Sequence, residues 1–515
     1  MFIEVLFFTL SLILTLLFFL YGFNYLYLLN AARRYRAPAL PEHFMVRPAV
    51  SVQLPVYNER YVVRRLVTAC AVMAEAYEID KVKILILDDS DDDTTLEVDQ
   101  IAEEFLKKHF RLEVLRRGNR NGFKAGALQA ALKRTEEEFI AIFDADFVPP
   151  ADFLLKTMPH FIQDERLGVV QSRWTHLNRD YNLLTKALSI LLDVHFLIEQ
   201  PGRYAAGLLQ NFNGSGGVLR KKAILEAGEW QADTLAEDLD LSYRMQILGY
   251  RVLYLRDLLC PSEIPPTVPS IKQQQGRWAC GSLRVARRIL PGLLQNRKYG
   301  IKQRWQAFVH LTGYMIHPLM VTSFVLSCLT VLLGLNNALP VQVNTSIPTF
   351  NSLFAVRDAS IIFLQNLVWL FLTPFIMLCS LAPWISLVST LKFQNLPLVR
   401  NLASLLVLLL LGFGISLSNL REAGKALFTN RTWEFTRTPK YADLKNNQDL
   451  KVRKYQVPLD PLWMVELGFV ILGLWSVGIA IQQANFTVLF ILVPFTISYG
   501  FVFLFSILQS RQAKA

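Results

Sequence analysis

Charge is scarce in these 515 residues. Asp, Glu, Lys and Arg make up 18% of the chain, against about 25% in a soluble globular protein. With 52% apolar and 12% aromatic residues, a disordered chain, a collagen and a coiled coil are excluded. Cysteine is scarce as well: there are five and no C-x-x-C pair, so neither a zinc site nor a disulfide framework is expected. Cys328 and Cys379 fall inside apolar runs, where a cysteine acts as a small hydrophobe. No basic segment precedes the first apolar run, which is longer than the core of a cleavable signal, so it reads as an anchor that stays. Nucleic-acid-binding modules are also missing. The net charge of +11 gathers beside apolar runs, at Arg33, Arg34, Arg36, Lys302, Arg304, Arg511 and Lys514, which argues against a nucleic-acid partner.

What is present is long apolar runs, at 2–29, 306–335, 361–390, 398–420, 463–483 and 486–508. Each reaches the roughly 20 residues that carry a helix across about 30 Å of hydrocarbon. Mean hydropathy is +0.30, while Asn30 to Arg304 has ordinary soluble composition. These features imply a multipass protein of the lipid bilayer built around one soluble domain, and the basic flanks place that domain in the cytoplasm. If all six runs crossed, residues 421–460, with nine Lys or Arg against five Asp or Glu, would lie outside. Keeping 398–420 at the cytoplasmic interface avoids this and leaves five spans. The implied division is 1–30 for the first span, 47–290 for the soluble domain, 306–390 for two spans, 398–460 for an interfacial helix and loop, and 463–508 for two more spans.

Within the soluble block, β-branched runs end in turn residues or acids: Ala49–Val56, Val82–Leu87 and Phe139–Phe143. Helical stretches, among them Thr94–Lys108 and Gly126–Arg134, separate them, which argues for a mainly parallel sheet covered on both faces. Ligands bind beyond the carboxyl ends of such strands.

Four groups of residues there carry chemistry. Asp88 to Asp93 follow the second run; an EF-hand starting at Asp88 fails, because Asp93 stands where Gly is needed and Asp99 where Glu is. A carboxylate there can accept a base N–H, or it is an acidic turn. Asp144-Ala145-Asp146 sets two carboxylates at a strand end, suited to one Mg²⁺ or Mn²⁺ on a diphosphate or merely solvated. Thr234 and Glu237 are spaced as a capping box, and Asp238 in the first turn would be a carboxylate placed for general-base work. In Gln273 to Trp278, Arg277 suits a diphosphate and Trp278 a sugar face, unless the two form a membrane-interface pair. The next stretch, Arg284 to Arg288, mixes basic and apolar residues as an interfacial helix does.

In this order the motifs, D, D-x-D, E-D and Q-x-x-R-W ahead of a cluster of apolar helices, resemble the membrane-integrated family 2 glycosyltransferases of the cellulose synthase and cellulose-synthase-like superfamily. Gly122–Leu128 (GFKAGAL), Gln171–Asn178 (QSRWTHLN), Phe212–Arg220 (FNGSGGVLR) and Gln274–Gly281 (QQGRWACG) look like its mannan synthase and glucan synthase-like branch. The stretch Phe435 to Lys440 is similar to the F-x-V-T-x-K gating loop of cellulose synthases, with Arg437 where Val is usual.

The resemblance implies an α/β GT-A domain with a mainly parallel sheet, inserted in an α-helical transmembrane bundle. It implies that Asp89 meets the base and Lys124 the nucleotide or its phosphates, and that Asp144 and Asp146 hold Mg²⁺ or Mn²⁺. Asp238 would be the base, preceded by Glu237. Gln274, Arg277 and Trp278 would bind diphosphate and terminal sugar, and Asn213, Gly214 and Ser215 would line the acceptor side. Nothing after Arg511 resembles a cyclic-dinucleotide-binding domain, so regulation of that kind is not expected within this chain. The expected activity is processive, inverting transfer of hexose from a nucleotide sugar onto a growing β-1,4-type glycan, with export through the protein's own helices. UDP-glucose is the favoured donor and GDP-mannose the second. The membrane would be the plasma or inner membrane of a bacterium or the Golgi of a eukaryote. Single transfer to a lipid is the alternative within enzymes, and a transporter with a nucleotide-sensing domain the alternative outside them.

Overall fold

The structure is a computed structural model that describes residues 2–41, 46–335, 381–429, 438–440 and 457–511. By backbone packing the chain divides into two units. One takes in Leu28–Thr312, Glu422–Pro458 and Ser510–Ala515; the other takes in Met1–Tyr27, Gly313–Arg421 and Leu459–Gln509.

The first unit is built on seven strands: β1 (Val50–Val56), β2 (Val82–Asp88), β3 (Arg111–Leu115), β4 (Phe139–Ile142), β5 (Leu167–His176), β6 (Gly217–Arg220) and β7 (Arg251–Ser262). Their order is β3-β2-β1-β4-β6-β5-β7. β1 to β4 run parallel, as do β5 and β7, while β6 lies antiparallel to both its neighbours. The sheet is mainly parallel, as expected, with one reversed strand.

Side chains alternate across it with the period-two geometry of a strand. Val50, Val52, Leu54, Ile84, Ile86 and Phe143 face one core, shared with α2 (Val63–Tyr77), α3 (Thr94–Lys107) and α5 (Phe153–Gln163). Leu85, Leu87, Ile140, Ile142 and Leu219 face the other, shared with α4 (Phe123–Arg134), α8 (Lys221–Glu226) and α9 (Glu237–Ile247). Burial on both faces explains why these strands read as continuous apolar runs.

One buried cation fastens the reversed strand. Arg220 donates to the carbonyls of Phe161 (2.8 Å), Asp164 (3.1 Å) and Leu167 (3.1 Å) and to Glu138 Oε1 (2.6 Å). Its guanidinium also lies over the rings of Phe139 and Phe161.

In the second unit the expected boundaries shift. Four helices among the described residues are long and apolar enough to cross a membrane: Phe2–Ala32, Gly313–Leu332, Trp463–Gln482 and Phe486–Ser510. The expected span at 306–335 begins later. Helix α11 (Ile301–Leu311) instead packs Ala307 and Leu311 against Tyr243, Val285 and Leu293 of the first unit. The stretch at 398–420 is not one interfacial helix. Leu398–Gly414 and Ser416–Phe428 are separate helices bent by 42°, and counted as one broken span they make a fifth. Gly414 sits so close to the Ser498 carbonyl that a Cβ would come within 2.6 Å of it, and Ser416 Oγ lies 3.1 Å from Tyr499 Oη. Of the run at 361–390, residues 361–380 lie outside the described residues, as do Cys379 and most of the basic 421–460 stretch. Cys70, Cys260, Cys280 and Cys328 are free and buried.

The Arg220→Ala variant is expected to lose about 2–4 kcal/mol, because several buried oxygens lose their donor at once. Arg220→Lys should recover less than half, since one ammonium cannot span a fan of three carbonyls. Thermal unfolding of the detergent-solubilised protein tests this; a lysine variant with the wild-type midpoint would refute it.

Candidate active site

Each acid singled out in the sequence lies at the carboxyl edge of β1, β2 and β4 or on an element that packs onto it. Asp89 follows β2, and its backbone N–H donates to the Val56 carbonyl at the end of β1 (3.0 Å). Arg117 takes both carboxylate oxygens, Nε to Oδ1 at 3.0 Å and Nη2 to Oδ2. A base N–H can therefore reach Asp89 only at oxygens that already carry a guanidinium. Nothing in the sequence marked Arg117 for this; the bond joins loops 28 residues apart.

Asp144 and Asp146 follow β4, and each faces a lysine. Lys124 Nζ, in the first turn of α4, lies 2.6 Å from Asp144 Oδ1 and donates to the Gly214 carbonyl at 2.8 Å. Burial opposes charging of Lys124, but Asp144, Glu237 and Asp238 outweigh it and hold the ammonium above the usual lysine range. Lys440 Nζ lies 2.6 Å from Asp146 Oδ2, which also accepts the Glu263 N–H at 3.2 Å. Lys440 and Thr438, whose hydroxyl accepts from Arg277 at 3.3 Å, end the stretch similar to a gating loop; Phe435, Thr436 and Arg437 lie outside the described residues. Two hard carboxylates that each draw a cation are the donor type that Mg²⁺ or Mn²⁺ takes. No cluster of three or more metal-ligating side chains occurs among the described residues, so further ligands would have to come from a bound diphosphate or water.

Asn213, Gly214 and Ser215 form the loop before β6. Ser215 Oγ accepts the Asp144 N–H at 2.8 Å, and Gln171 accepts from the Asn213 N–H while donating to the carbonyls of Ser215 and Gly216. The role of Gln171 was missed, although a polar residue after Val169-Val170 in a buried strand was a signal. Gly214 has φ +79°, and a Cβ there would stand 2.6 Å from Asp238 Oδ2 and 3.3 Å from Lys124 Nζ. The loop and the carboxylate therefore touch.

Glu237 and Asp238 open α9, but the expected capping box is not formed. Ala236 is the N-cap, no side chain caps the helix, and the buried Thr234 hydroxyl has no partner. The backbone is held otherwise. Leu235 adopts φ +59°, a region costly for a branched side chain, and the turn packs against α10 (Val268–Gln295). A Cβ at Gly281 of α10 would lie 2.8 Å from Ala236 Cβ and 3.1 Å from the Leu235 carbonyl. Burial first, and the Glu237 charge second, raise Asp238 from the ordinary value of 3.8 to about 7, although Lys124 pulls the other way.

Gln274, Arg277 and Trp278 share one face of α10 by their i, i+3, i+4 spacing. Further along the helix, the basic stretch serves the protein instead of a membrane surface. Arg284 is buried and donates to the Asp233 carbonyl, while Arg288 meets Asp233 (3.2 Å) and Asp240 (3.6 Å). These bonds tie α10 to the segment that leads into Glu237 and Asp238.

A parallel sheet with acids at its carboxyl edge, a lysine on the following helix and a carboxylate raised toward neutrality define a nucleotide-sugar transferase of the GT-A type. The family profile described as Glycosyl transferase family group 2 matches residues 139–417, and that of Glycosyl transferase family 2 matches residues 51–218. The chain belongs to the family 2 glycosyltransferases, and the resemblance to their cellulose-synthase-like members is borne out. It is 36% identical over 278 residues to glucomannan 4-beta-mannosyltransferase 1 of Oryza sativa subsp. japonica, covering 52% of this chain and 53% of that protein. With glucomannan 4-beta-mannosyltransferase 2 of Arabidopsis thaliana it shares 37% identity over 255 residues, 49% of this chain and 47% of that protein. The chain spans about half the length of the curated relatives it matches. Among solved structures, mannosyltransferase PcManGT from Pyrobaculum calidifontis, in complex with GDP-Man and Mn²⁺, aligns with a TM-score of 0.49 at 19% identity, over 73% of this chain and 98% of that one.

Gly281→Ala is expected to lower turnover at least tenfold while the domain stays folded, because the added methyl displaces the turn that aims Asp238; a kinetic assay beside a melting curve checks both. Asp238→Asn should raise the thermal midpoint at pH 8 by about 2–4 °C. The sign follows from the raised value: the folded state holds the proton more tightly than an unfolded aspartate, so the destabilisation is absent below about pH 4 and complete above about pH 7. Equal midpoints at pH 8 would contradict a buried, strained charge.

Proposed function

We propose that this protein is a processive, inverting β-hexosyltransferase that draws on a nucleotide sugar, with GDP-mannose as donor, and extends a β-1,4-linked mannose-containing glycan. One observation carries the reading: a carboxylate raised to about 7 stands at the start of α9, in contact with the Gly214 loop and facing Lys124. A base with a value near the working pH is the most effective at removing a proton from a sugar hydroxyl. The relatives' names move the expected donor from UDP-glucose to a mannose carrier.

In this reading Asp238 accepts the proton of the acceptor hydroxyl as its oxygen bonds to the donor's C1, and the bond from C1 to the diphosphate oxygen breaks on the opposite face. One displacement inverts the anomeric centre, so no protein nucleophile is required. Lys124 and Arg277 sit near the charge that builds on the leaving diphosphate. Asp144 and Asp146 would hold a divalent cation in place of the lysines they now face, and such a cation would supply further neutralisation of that leaving group. Asp89 with Arg117 faces the base. Asn213 to Ser215 and Trp278 line the acceptor side, and Gln274 the diphosphate side. The catalytic unit lies in the cytoplasm, and the apolar helices anchor it and pass the product.

The test is transfer from radiolabelled GDP-mannose and UDP-glucose, offered separately with Mn²⁺ or Mg²⁺ to the purified protein in proteoliposomes. Mannose label in ethanol-insoluble material that an endo-β-mannanase dissolves is the expected result. Label confined to the lipid extract would replace polymer synthesis by single transfer to a lipid, and glucose label alone would return the donor to UDP-glucose. Asp238→Asn should cut transfer by a factor of about 10²–10⁴; unaltered turnover removes it as the base.

A further inference from the structure

Behind the Asn213 loop lies a half-buried polar chain that the mechanism above does not use. Between α6 (Leu183–Val194) and α7 (Gln200–Ala205) the backbone makes one turn of π-helix, His195–Glu199. Such turns insert a residue into a helix and recur at functional sites. Here the turn sets His195 Nδ1 2.8 Å from Glu199 Oε2 and His195 Nε2 3.0 Å from Asn213 Oδ1. Glu199 Oε1 faces His310 Nε2 at 3.6 Å, and His310 Nδ1 lies 2.6 Å from the Tyr243 hydroxyl on α9, the helix that begins with Glu237 and Asp238.

The neighbours of Asn213 identify its amide oxygen. Asn211 Nδ2 donates to Asn213 Oδ1 at 2.6 Å, which identifies that atom as the amide oxygen. Gln200 Nε2 lies 3.4 Å from His195 Nε2, but its hydrogens are directed to the Asn211 carbonyl and Oδ1, at 3.1 and 3.2 Å. The ring of His195 thus lies with Nδ1 against the Glu199 carboxylate and Nε2 against the Asn213 amide oxygen. Burial works against the Glu199 carboxylate, yet His195, His310 and Arg203 outweigh it and hold it well below the usual carboxylate range. Asn211 Nδ2 and His195 Nε2 converge on Asn213 Oδ1, and the amide is left with its Nδ2 buried and without a partner. An orphaned buried donor is costly, so this orientation is imposed by its surroundings and is not one the amide would choose. Asn213 is followed directly by Gly214, which lies against Asp238.

We propose that His195, held by Glu199, is a positioning residue for the acceptor side of the site: its Nε2 contact fixes the Asn213 amide and, through it, the Gly214 segment against which Asp238 and an incoming sugar hydroxyl align. The assignment rests on the glycosyltransfer reading above. It predicts that losing the imidazole disturbs the acceptor before the donor: Asp89 is held by Arg117, and the loop's links to the donor side, the Gly214 carbonyl to Lys124 and Ser215 Oγ to the Asp144 N–H, follow Asn213 in the chain and keep their own bonds.

The experiment uses the full chain in proteoliposomes with a soluble β-1,4-linked manno-oligosaccharide as acceptor. His195→Ala is expected to raise the acceptor KM about tenfold, while the affinity for GDP-mannose, read by the thermal shift it induces, stays within twofold. His195→Gln, which keeps a donor toward Asn213, should return the acceptor KM to within about threefold of wild type. Asn213→Ala combined with His195→Ala should add less than twofold to either single variant, since both remove the same contact. An unmoved acceptor KM in His195→Ala, or a parallel loss of donor affinity, overturns the assignment while wild-type transfer leaves the glycosyltransfer reading standing. If His195→Ala fails to fold, the glutamine variant decides by the same two constants. A wild-type protein that elongates no oligosaccharide overturns the polymer reading and this assignment with it.

Discussion

Acids crowd the carboxyl edge of the sheet, and like charges so placed can stay ionised only if cations are brought to them. The protein supplies one for each from elsewhere in the chain. Arg116 meets Asp88, Arg117 meets Asp89, Lys124 meets Asp144 and Lys440 meets Asp146. The cations come from the loop after β3, from the first turn of α4 and from a segment almost 300 residues along the chain. Forming the edge therefore gathers remote parts of the first unit around one point. Asp238, like Glu237 beside it, has no ion pair among the described residues. Its Oδ1 accepts only the N–H of Leu239, at 2.8 Å. On the reading proposed above, a carboxylate that takes up a proton gains from lacking a counter-ion, while those that would hold a diphosphate through a cation gain from having one.

How far this edge was legible in the sequence depends on the range of the interaction. β1, β2 and β4 are each determined by a short apolar run, and acids follow β2 and β4 at once, so element and site could be read together. Asp144, Asp146, Glu237, Asp238 and Arg277 were named on such local patterns and converge in space. The partners were not legible. Arg117 and Lys440 are two of 53 basic residues, and only the fold decides which of them reaches an acid. The same limit explains the misreading of Arg284 and Arg288. Basic residues alternating with apolar ones describe an interfacial helix and a helix laid on an acidic loop equally well, and Asp233 settles the matter only in three dimensions. Thr234 and Glu237 had the spacing of a capping box, yet the backbone at Leu235 turns left-handed, so Ala236 takes the cap. The bend at Ile415 has a local mark in Gly412 and Gly414, two glycines within three residues of it.

Glycine does two distinct jobs around Asp238. Gly214 takes a positive φ and gives up the Cβ that would strike the carboxylate, so the loop before β6 reaches the acid directly. Gly281 is helical, and what it supplies is closeness: without a side chain, α10 lies against the turn at Leu235 and Ala236. The two approaches come from opposite ends of the motif, one on the carboxylate and one on the backbone that carries it. Side-chain hydrogen bonds are few here, so the aim of Asp238 depends on backbone contact, which tolerates less displacement than a flexible side chain would.

Magnitudes decide why Asp238 is raised at all. The N-terminus of a helix favours negative charge by about 0.3–1 kcal/mol at an exposed site, less than one unit of pKa. Acting alone, it would lower the first-turn acids of α9. The rise from 3.8 to about 7 runs against this field, so burial and the adjacent Glu237 together outweigh both the helix and Lys124. On the reading proposed above, two of these contributions change when substrates arrive. A sugar diphosphate near Lys124 shares that ammonium and weakens its pull on Asp238, and an acceptor that closes over Trp278 removes more water from the carboxylate. Both changes raise Asp238 further, so its affinity for a proton is greatest when donor and acceptor are together. As the proposed general base, Asp238 would thus be strengthened by the two molecules it joins.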